Sequence, residues 1–381
     1  MTATAPAVPV PSTLSARMVP LRAMALRGLS RMYRPESAEF VFRVRRTASG
    51  VLSEGRSLRY AAISLLGLAT EDERVARTVL GGRSAASLCA AVVEEALRSD
   101  NLGDVALSLW ASRALAHSGA EPLLRRLVEL RPVEGTHFTV ELAWTLSALS
   151  ADPDLPADLR AAVAGRLRGA FVERSGLFPH VVGRSRRGPR AHVSCFADLV
   201  YPVHALSRYA LLTGDRPALA AAARCGERME QLQGRDGQWW WHYDVRTGDV
   251  IEPYPVYAVH QDAMAPLALF ALEEASGRDF TSAVERGLAW LESAPELRGG
   301  SLIDREADLI WRKVARREPG KLARSMQAAA SRVHPALRVP GLDVVLPPGA
   351  VDYEDRPYHL GWLLHVWPER PSRPPNDGRS T

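Results

Sequence analysis

Residues 196–215 read FADLVYPVHALSRYALLTGD, and residues 261–279 read QDAMAPLALFALEEASGRD. In both segments an Asp is followed four residues later by a Pro, then by an apolar run, and finally by a Gly. The apolar run has the length of a helix that is buried on both sides, and Gly214 or Gly277 supplies the left-handed residue that ends it. This repeat predicts a helical hairpin with one buried helix and one amphipathic, solvent-facing partner.

The hairpin pattern extends along most of the chain and predicts an all-α fold. Apolar and amphipathic segments alternate, and about six hairpins fit into the chain. Helical pairs that repeat around a closed ring form an (α/α)6 toroid, with the apolar helices inside and with loops around a central cavity at one end. We therefore expect a disordered or partly helical basic arm over 1–50, a toroid domain over 51–367 and a disordered tail over 368–381.

The charge pattern restricts the partners of the chain. The 381 residues carry a formal net charge of +5, and the only lysines are Lys313 and Lys321, which argues against Schiff-base chemistry. Arg residues are scattered along the helices without interleaved aromatic residues, so no nucleic-acid partner is expected. The basic run 184–190 is the exception, and it is either a solvated loop or a phosphate-binding segment.

The apolar runs are interrupted by charged residues, so no transmembrane segment is expected. The first twenty residues lack the apolar core and the cleavage site of a signal peptide, which indicates a cytoplasmic protein. Nothing in the sequence indicates an oligomeric state.

The cysteines give no indication of a disulfide framework or of a complete metal site. Cys89, Cys195 and Cys225 have no paired spacing. His192-x-x-Cys195 has the form of half a metal-binding motif, but no second half is evident. We therefore predict neither a metal nor a cofactor.

One stretch, residues 233–262, is unusually rich in residues that bind ligands and transfer protons. Aromatic faces stack on sugars or contact apolar and cationic ligands, whereas imidazoles and carboxylates move protons. The aromatic residues that we predict to bind substrate are Trp239, Trp240, Trp241 and Tyr254. The residues that we predict to be catalytic in this stretch are His242, Tyr257, His260 and Asp262. The alternative is that the tryptophans pack against helix ends and the polar residues hold a loop.

The predicted inner helices tend to begin with polar residues, which would converge on one rim of the toroid if these helices run in the same direction. Convergence of acids would raise some of their pKa values and create a general acid. Two further catalytic candidates, Asp198 and Asp355, lie at such starts. The other substrate-binding candidates at these starts are Arg59, Glu141, Tyr201, Arg356, Tyr358 and His359. Alternatively, the Asp residues at the starts are N-caps that accept hydrogen bonds from free backbone N–H groups.

Residues 224–239, RCGERMEQLQGRDGQW, resemble the QW repeat of squalene and oxidosqualene cyclases. A degenerate copy occupies residues 286–301. The resemblance implies a terpenoid-cyclase or prenyltransferase-like toroid, in which Gln233 would cap an outer helix and stack on Trp239. The chain departs from that family because it lacks an Asp-x-Asp-Asp motif and is about one toroid long.

A second resemblance concerns the layout of residues 237–257. A Trp-rich segment, a turn and Tyr-Pro-Val-Tyr are similar in order to the end of glucuronyl C5-epimerases. This resemblance implies a carbohydrate-active enzyme.

Three functions are therefore open. The first is a terpenoid-cyclase-like enzyme that acts on an isoprenoid or polyprenyl substrate, with an acid supplied by Asp262, Asp198 or Asp355. The second is a sugar or uronate epimerase, hydrolase or lyase in which His242, His260 and Tyr257 act as acid and base. The third is a non-catalytic toroid that binds a ligand or partner. A closed, dry, aromatic cavity would favour the first function, whereas an open groove with acids and Arg would favour the second.

Overall fold

A computed structural model describes residues 12–183, 188, 190–319 and 321–368. The predicted tail beyond residue 368, the first eleven residues and most of the basic run 184–190 lie outside the described residues. The α-helices in chain order are α1 (Ser12–Met32), α2 (Leu58–Leu68), α3 (Glu73–Val79), α4 (Ala85–Ala96), α5 (Leu102–Ala114), α6 (Ala120–Glu129), α7 (Thr139–Ser150), α8 (Ala157–Gly169), α9 (Ala197–Thr213), α10 (Arg216–Leu232), α11 (Ala265–Ser276), α12 (Thr281–Ser293), α13 (Leu322–Val333), α14 (Leu342–Val345) and α15 (Pro357–Val366).

Two short helical turns of other types complete the helical part. A π-helical turn, His260–Met264, runs directly into α11, and a 3₁₀ turn, Pro295–Leu297, follows α12. Among the described helices, none combines the length with the apolar composition that crossing a bilayer requires.

Six of the helices form an inner ring and six form an outer layer. In the inner ring α2, α5, α7, α9, α11 and α15 each contact the next, and α15 together with the π-helical turn closes the circle. Outside them lie α1, α4, α6, α8, α10 and α12, each packed against one or two inner helices. The two layers alternate along the chain, so all inner helices begin at the same end of the ring. The predicted (α/α)6 toroid is confirmed.

Sequence composition explains which helices lie inside. In α7, every residue from Glu141 to Ser150 is buried, whereas the outer helix α6 buries only one face. At the closure of the ring, a Cβ on Gly67 would lie 2.4 Å from the carbonyl oxygen of Gly361, so glycine is required for α2 and α15 to approach this closely.

Short antiparallel strands cover the end of the ring where the inner helices begin. They are β1 (Tyr33–Arg34), β2 (Glu39–Phe40), β3 (Arg43–Thr47), β4 (Gly50–Glu54), β5 (His137–Phe138), β6 (Val181–Val182), β7 (Val193–Cys195), β8 (His242–Asp244), β9 (Val250–Glu252), β10 (Val256–Tyr257), β11 (Ile303–Asp304), β12 (Leu309–Ile310), β13 (Lys313–Arg316), β14 (Pro348–Asp352) and β15 (Glu354–Asp355). The three-stranded sheets have the orders β15-β3-β4, β7-β8-β9 and β10-β13-β14. Each of β5, β7, β10 and β15 is followed within a few residues by an inner helix. The sheets therefore surround the end of the ring where the inner helices begin, which we call the open end.

The helical part of the predicted arm is α1, which packs against α15 as an outer helix and buries Leu14, Met18 and Leu21 in the common core. Residues 33–54 form β1 to β4, and β3 pairs with β15 near the end of the chain. The predicted division of the chain at residues 51 and 367 stays a prediction.

Candidate active site

The starts of the inner helices meet at the open end through direct side-chain contacts. Arg356 at the start of α15 donates a hydrogen bond of 2.7 Å to the Tyr60 hydroxyl on α2. Arg59, the neighbour of Tyr60, forms an ion pair with Asp104 on α5, with Nε to Oδ1 at 3.0 Å. Its guanidinium lies 4.0 Å from Glu141 on α7. The polar helix starts therefore converge, as the sequence pattern predicted.

Four of these side chains form the Arg59 cluster, which consists of Arg59, Asn101, Asp104 and Glu141. Asn101 donates to Glu141 Oε1 at 3.0 Å and accepts from Arg59 at 2.7 Å. Asn101 is also the N-cap of α5, because its side-chain oxygen accepts from the Asp104 backbone N–H. Asp104 is therefore not the cap, and its carboxylate is free to pair with Arg59. The cluster holds two carboxylates around one guanidinium at the rim.

A cavity of about 400 Å³ adjoins the Arg59 cluster. The polar and aromatic residues that line it are Asp100, Asn101, Thr136, His137, Phe138 and Glu141. Acids, an amide, an imidazole and one aromatic ring line the same space. A wall of this composition offers hydrogen bonds to hydroxyl groups and one flat apolar face.

Aromatic rings surround the same end of the toroid. Arg59 lies 5.2 Å from the centre of the Trp144 ring, and Trp144 meets Tyr201 edge-on at 5.1 Å. Tyr60 and Tyr358 lie 4.7 Å apart. Burial raises the pKa values of Tyr201 and Tyr358 well above that of a free phenol, so both stay protonated at neutral pH.

The His180 cluster, which consists of His180, Cys195 and Asp198, lies on the other side of Phe138. The His180 ring is 5.0 Å from the Phe138 ring, and 29% of its side chain is exposed. Its Nδ1 lies 2.9 Å from Oδ2 of the fully buried Asp198. The same Oδ2 accepts from the Cys195 backbone N–H at 2.9 Å. This arrangement fixes the orientation of the imidazole beside Phe138, which lines the cavity.

Sequence reasoning did not select His180 as a site residue. It follows a Phe-Pro pair in a loop, and nothing local links it to Asp198, eighteen residues later. The half-motif His192-x-x-Cys195 was misleading because His192 turns away and its ring bonds to Ser331 Oγ at 2.9 Å.

A third group, the His359 cluster, consists of Asp262, Asp355 and His359 and is buried. His359 Nε2 lies 2.9 Å from both carboxylate oxygens of Asp262, and Nδ1 lies 3.7 Å from Asp355. Burial alone would lower the pKa of His359, but the two carboxylates outweigh it and raise the pKa to about 10. Burial raises the pKa of Asp355, and His359 opposes that shift. The cluster joins the π-helical turn to α15.

The remaining histidines of the predicted site are buried and neutral. Burial lowers the pKa of His260 to about 3, and its ring packs between Phe196 and Tyr257. Burial and the nearby Arg190 lower the pKa of His242 to about 3. Burial raises the pKa of Tyr257 to about 12 against the opposing effect of neighbouring arginines.

The three tryptophans point in different directions. Trp239 is buried in the core, whereas Trp240 meets Tyr254 edge-on at 6.0 Å. The Tyr254 hydroxyl donates to Glu296 at 3.1 Å, which holds this pair to the 3₁₀ turn after α12. Trp241 stacks on His242 and lies edge-on to Tyr257 at 4.9 Å.

The structure separates the predicted site residues into two groups by burial. The partly exposed ones are Arg59, Arg356, Tyr358, Trp240, Trp241 and Tyr254. The buried ones are Glu141, Tyr201, Asp198, Asp262, His260, Asp355, His359, His242, Tyr257 and Trp239. The catalytic and binding roles of both groups stay predictions.

The QW-like segment forms a local structural contact. Gln233 donates to the carbonyl oxygens of Gly237 and Ala283, and it accepts from Arg286 at 3.0 Å. These bonds tie the end of α10 to α12. They explain the local pattern without any reference to terpenoid cyclases.

No protein-family model matches the sequence, and no curated protein matches it. Solved structures do match the fold. A cellobiose 2-epimerase from Bacillus thermoamylovorans B4167 superposes with a TM-score of 0.63 at 12% identity, covering 93% of this chain and 98% of that chain. An unsaturated glucuronyl hydrolase specific for heparin gives 0.60 at 10% identity, covering 93% and 96%. An unsaturated glucuronyl hydrolase from Bacillus sp. GL1 gives 0.56 at 13% identity, covering 92% and 96%.

The expectation of a terpenoid-cyclase-like enzyme on an isoprenoid substrate is wrong. The matching structures are toroids of carbohydrate-active enzymes, and they give no support to a QW repeat. Inside the ring, Trp110 on α5 lies 5.4 Å from His204 on α9 and 5.6 Å from Trp362 on α15. These aromatic rings belong to the packed core.

Proposed function

We propose that this protein is a carbohydrate-active enzyme whose sugar-binding site is the cavity beside the Arg59 cluster. The observation that carries the proposal is the Arg59 cluster, in which Glu141 and Asp104 surround one guanidinium, beside an open cavity of about 400 Å³ that Glu141 and Asn101 line. The fold is that of hydrolases and an epimerase that act on sugars, which adds support at the level of architecture.

Glu141 is the residue that we assign to acid–base chemistry. It lines the cavity, and Asn101 and the Phe138 backbone N–H hold its two oxygens at 3.0 and 3.4 Å. A carboxylate fixed on both oxygens keeps one orientation towards the ligand. General acid–base catalysis requires such a group within hydrogen-bond reach of the reacting atom.

Arg59 and the aromatic rings are assigned to binding. The guanidinium is planar, carries donors in a fixed fork and is 31% exposed, so it suits the paired oxygens of a sugar ring. Phe138 offers a flat face in the same cavity, where its ring is largely exposed. Stacking of this kind orients a sugar without specifying its hydroxyl pattern.

Glycosidic hydrolysis is the reaction that the pair of carboxylates favours. Hydrolysis uses one carboxylic acid to protonate the leaving oxygen and a second carboxylate as base or nucleophile. Glu141 and Asp104 supply two such groups on neighbouring helices, and Arg59 lies between them.

The test is a Glu141→Gln variant assayed on a panel of unsaturated glucuronyl disaccharides, cellobiose and other oligosaccharides. The appearance of new reducing ends measures hydrolysis of the glycosidic bond. Chromatographic separation of epimers measures inversion at a sugar carbon. We expect wild type to turn over at least one compound. Loss of the carboxylate should lower kcat by roughly 10² to 10⁴-fold, because it removes the proton-transfer group.

The matched control is Glu121→Gln. Glu121 is exposed on α6 and pairs with Arg125 one helical turn away, so its loss should leave both activity and melting temperature unchanged. Equal activity of Glu141→Gln and wild type would overturn the assignment. Sugar binding by wild type without turnover of any compound would favour the non-catalytic binding toroid instead.

A further inference from the structure

We infer that His180, Cys195 and Asp198 form a binding site for a divalent cation of the zinc class. One ligand atom from each residue, an imidazole nitrogen, a thiol sulfur and a carboxylate oxygen, lies within 4.8 Å of the other two. Ligands of a tetrahedral zinc site sit about 2.0 to 2.3 Å from the metal, which places them roughly 3 to 4 Å from one another. The three side chains therefore need only small adjustments to surround one cation.

A second observation points to a missing ligand. Asp198 is fully buried, yet among the described residues its Oδ1 has no hydrogen-bond partner. Its Oδ2, in contrast, accepts from His180 and from the Cys195 backbone N–H. An unpaired carboxylate oxygen in a protein interior is costly, and a cation bound between His180, Cys195 and Asp198 would satisfy it.

The donor set selects the class of cation. Mixed nitrogen, sulfur and oxygen donors suit zinc, whereas Mg²⁺ and Ca²⁺ prefer oxygen ligands alone. Three protein ligands leave a fourth position for water or for a substrate oxygen. His180 is partly exposed beside Phe138, so that position would be reached from the sugar cavity.

The fold explains how distant residues assemble this site. Cys195 ends β7, which pairs with β8, and Asp198 lies in the first turn of α9 only three residues later. His180 comes from the loop next to β6, which pairs with β5 at the start of α7. The site therefore bridges two neighbouring inner helices, and it is independent of the Arg59 cluster.

The test is zinc binding by the full chain without any sugar. Protein stripped with a chelator is dialysed against Zn²⁺ and its metal content is measured by mass spectrometry. We expect wild type to hold a single equivalent. Removal of a direct ligand in Cys195→Ala should weaken zinc affinity by at least about 100-fold. Co²⁺ in place of Zn²⁺ should give a thiolate-to-cobalt band in the near ultraviolet that Cys195→Ala lacks.

Cys225→Ala is the matched control because Cys225 is also a free cysteine, but it lies on α10 and is not part of the His180 cluster. It should keep the zinc and the cobalt band. Failure of wild type to retain zinc, or equal retention by Cys195→Ala, would overturn the inference. Because the assay contains no sugar, either result leaves the test of Glu141 unaffected.

Discussion

The His359 cluster and the Arg59 cluster stand at the same end of the toroid and use the same chemistry in different surroundings. Each holds two carboxylates around one cation at the starts of inner helices. The His359 side chain is 4% exposed and Asp262 is fully buried, whereas Arg59 and Asp104 are 31% and 22% exposed. The degree of burial, rather than residue type, is therefore what distinguishes the two clusters.

The largest expected effect is on the buried cluster. Replacing Asp262 with Asn leaves the His359 imidazolium in the interior with only the more distant Asp355 carboxylate. Removing one partner of a buried ion pair typically costs about 3 to 5 kcal/mol. We therefore expect Asp262→Asn to lower the free energy of unfolding by that amount, as measured by urea denaturation.

Asp104→Asn is the paired control in the open cluster. An exposed ion pair contributes about 1 kcal/mol or less, because water and salt screen both charges. If Asp262→Asn and Asp104→Asn destabilised the protein equally, the distinction between the clusters would fail.

The second prediction concerns the pH dependence of stability. The pKa of His359 rises from 6.5 in the unfolded chain to about 10 in the folded protein. A raised pKa contributes stability that is complete below pH 6.5 and is lost as the pH rises through about 10. The free energy of unfolding should therefore fall as the pH rises across this window.

Urea titrations at several pH values between 6.5 and 10, in wild type and in His359→Gln, would measure the fall. The variant should be less stable but show a flatter dependence on pH, because Gln does not titrate. His260 stays neutral throughout this range, since burial lowers its pKa to about 3. Identical pH profiles would show that the His359 charge is not what joins the π-helical turn to α15.

The ring was predictable because its cause is local and periodic. The pattern of an apolar run, a terminal Gly and an amphipathic partner recurs in residues 196–215 and 261–279, and each unit can bury its apolar helix only against neighbours. The short strands were not predictable. β3 pairs with β15 across some three hundred residues, and strands of two to five residues leave no alternating pattern to detect.

The site was predictable only in outline, for a related reason. Polar helix starts indicate where residues converge, but the exposure of each side chain, from the fully buried Asp262 to the partly exposed Arg59, depends on what packs over it. At Asp262 one neighbour is Trp367, more than a hundred residues later, which donates to the Asp262 backbone carbonyl at 2.6 Å. No sequence pattern around His180 links it to Asp198. The two residues meet in the folded chain, where His180 lies next to β6, the strand that pairs with β5.

The smallest expected effect on stability is in the Arg59 cluster. It tests whether the partly exposed cluster contributes less to stability than the buried His359 cluster. In Arg59→Lys the charge remains, but the fork that contacts both Asn101 and Asp104 is lost, and so is the planar contact with Trp144. We expect a loss of about 1 kcal/mol or less in the free energy of unfolding. Sugar affinity should fall several-fold, because binding of the sugar depends on the geometry of that fork.

The control is Arg98→Lys. Arg98 forms an exposed ion pair with Glu94, so this substitution should change neither the free energy of unfolding nor the sugar affinity. A large loss of stability in Arg59→Lys with unchanged sugar affinity would show that the open cluster also fastens the ring, and the carbohydrate site would then have to lie elsewhere.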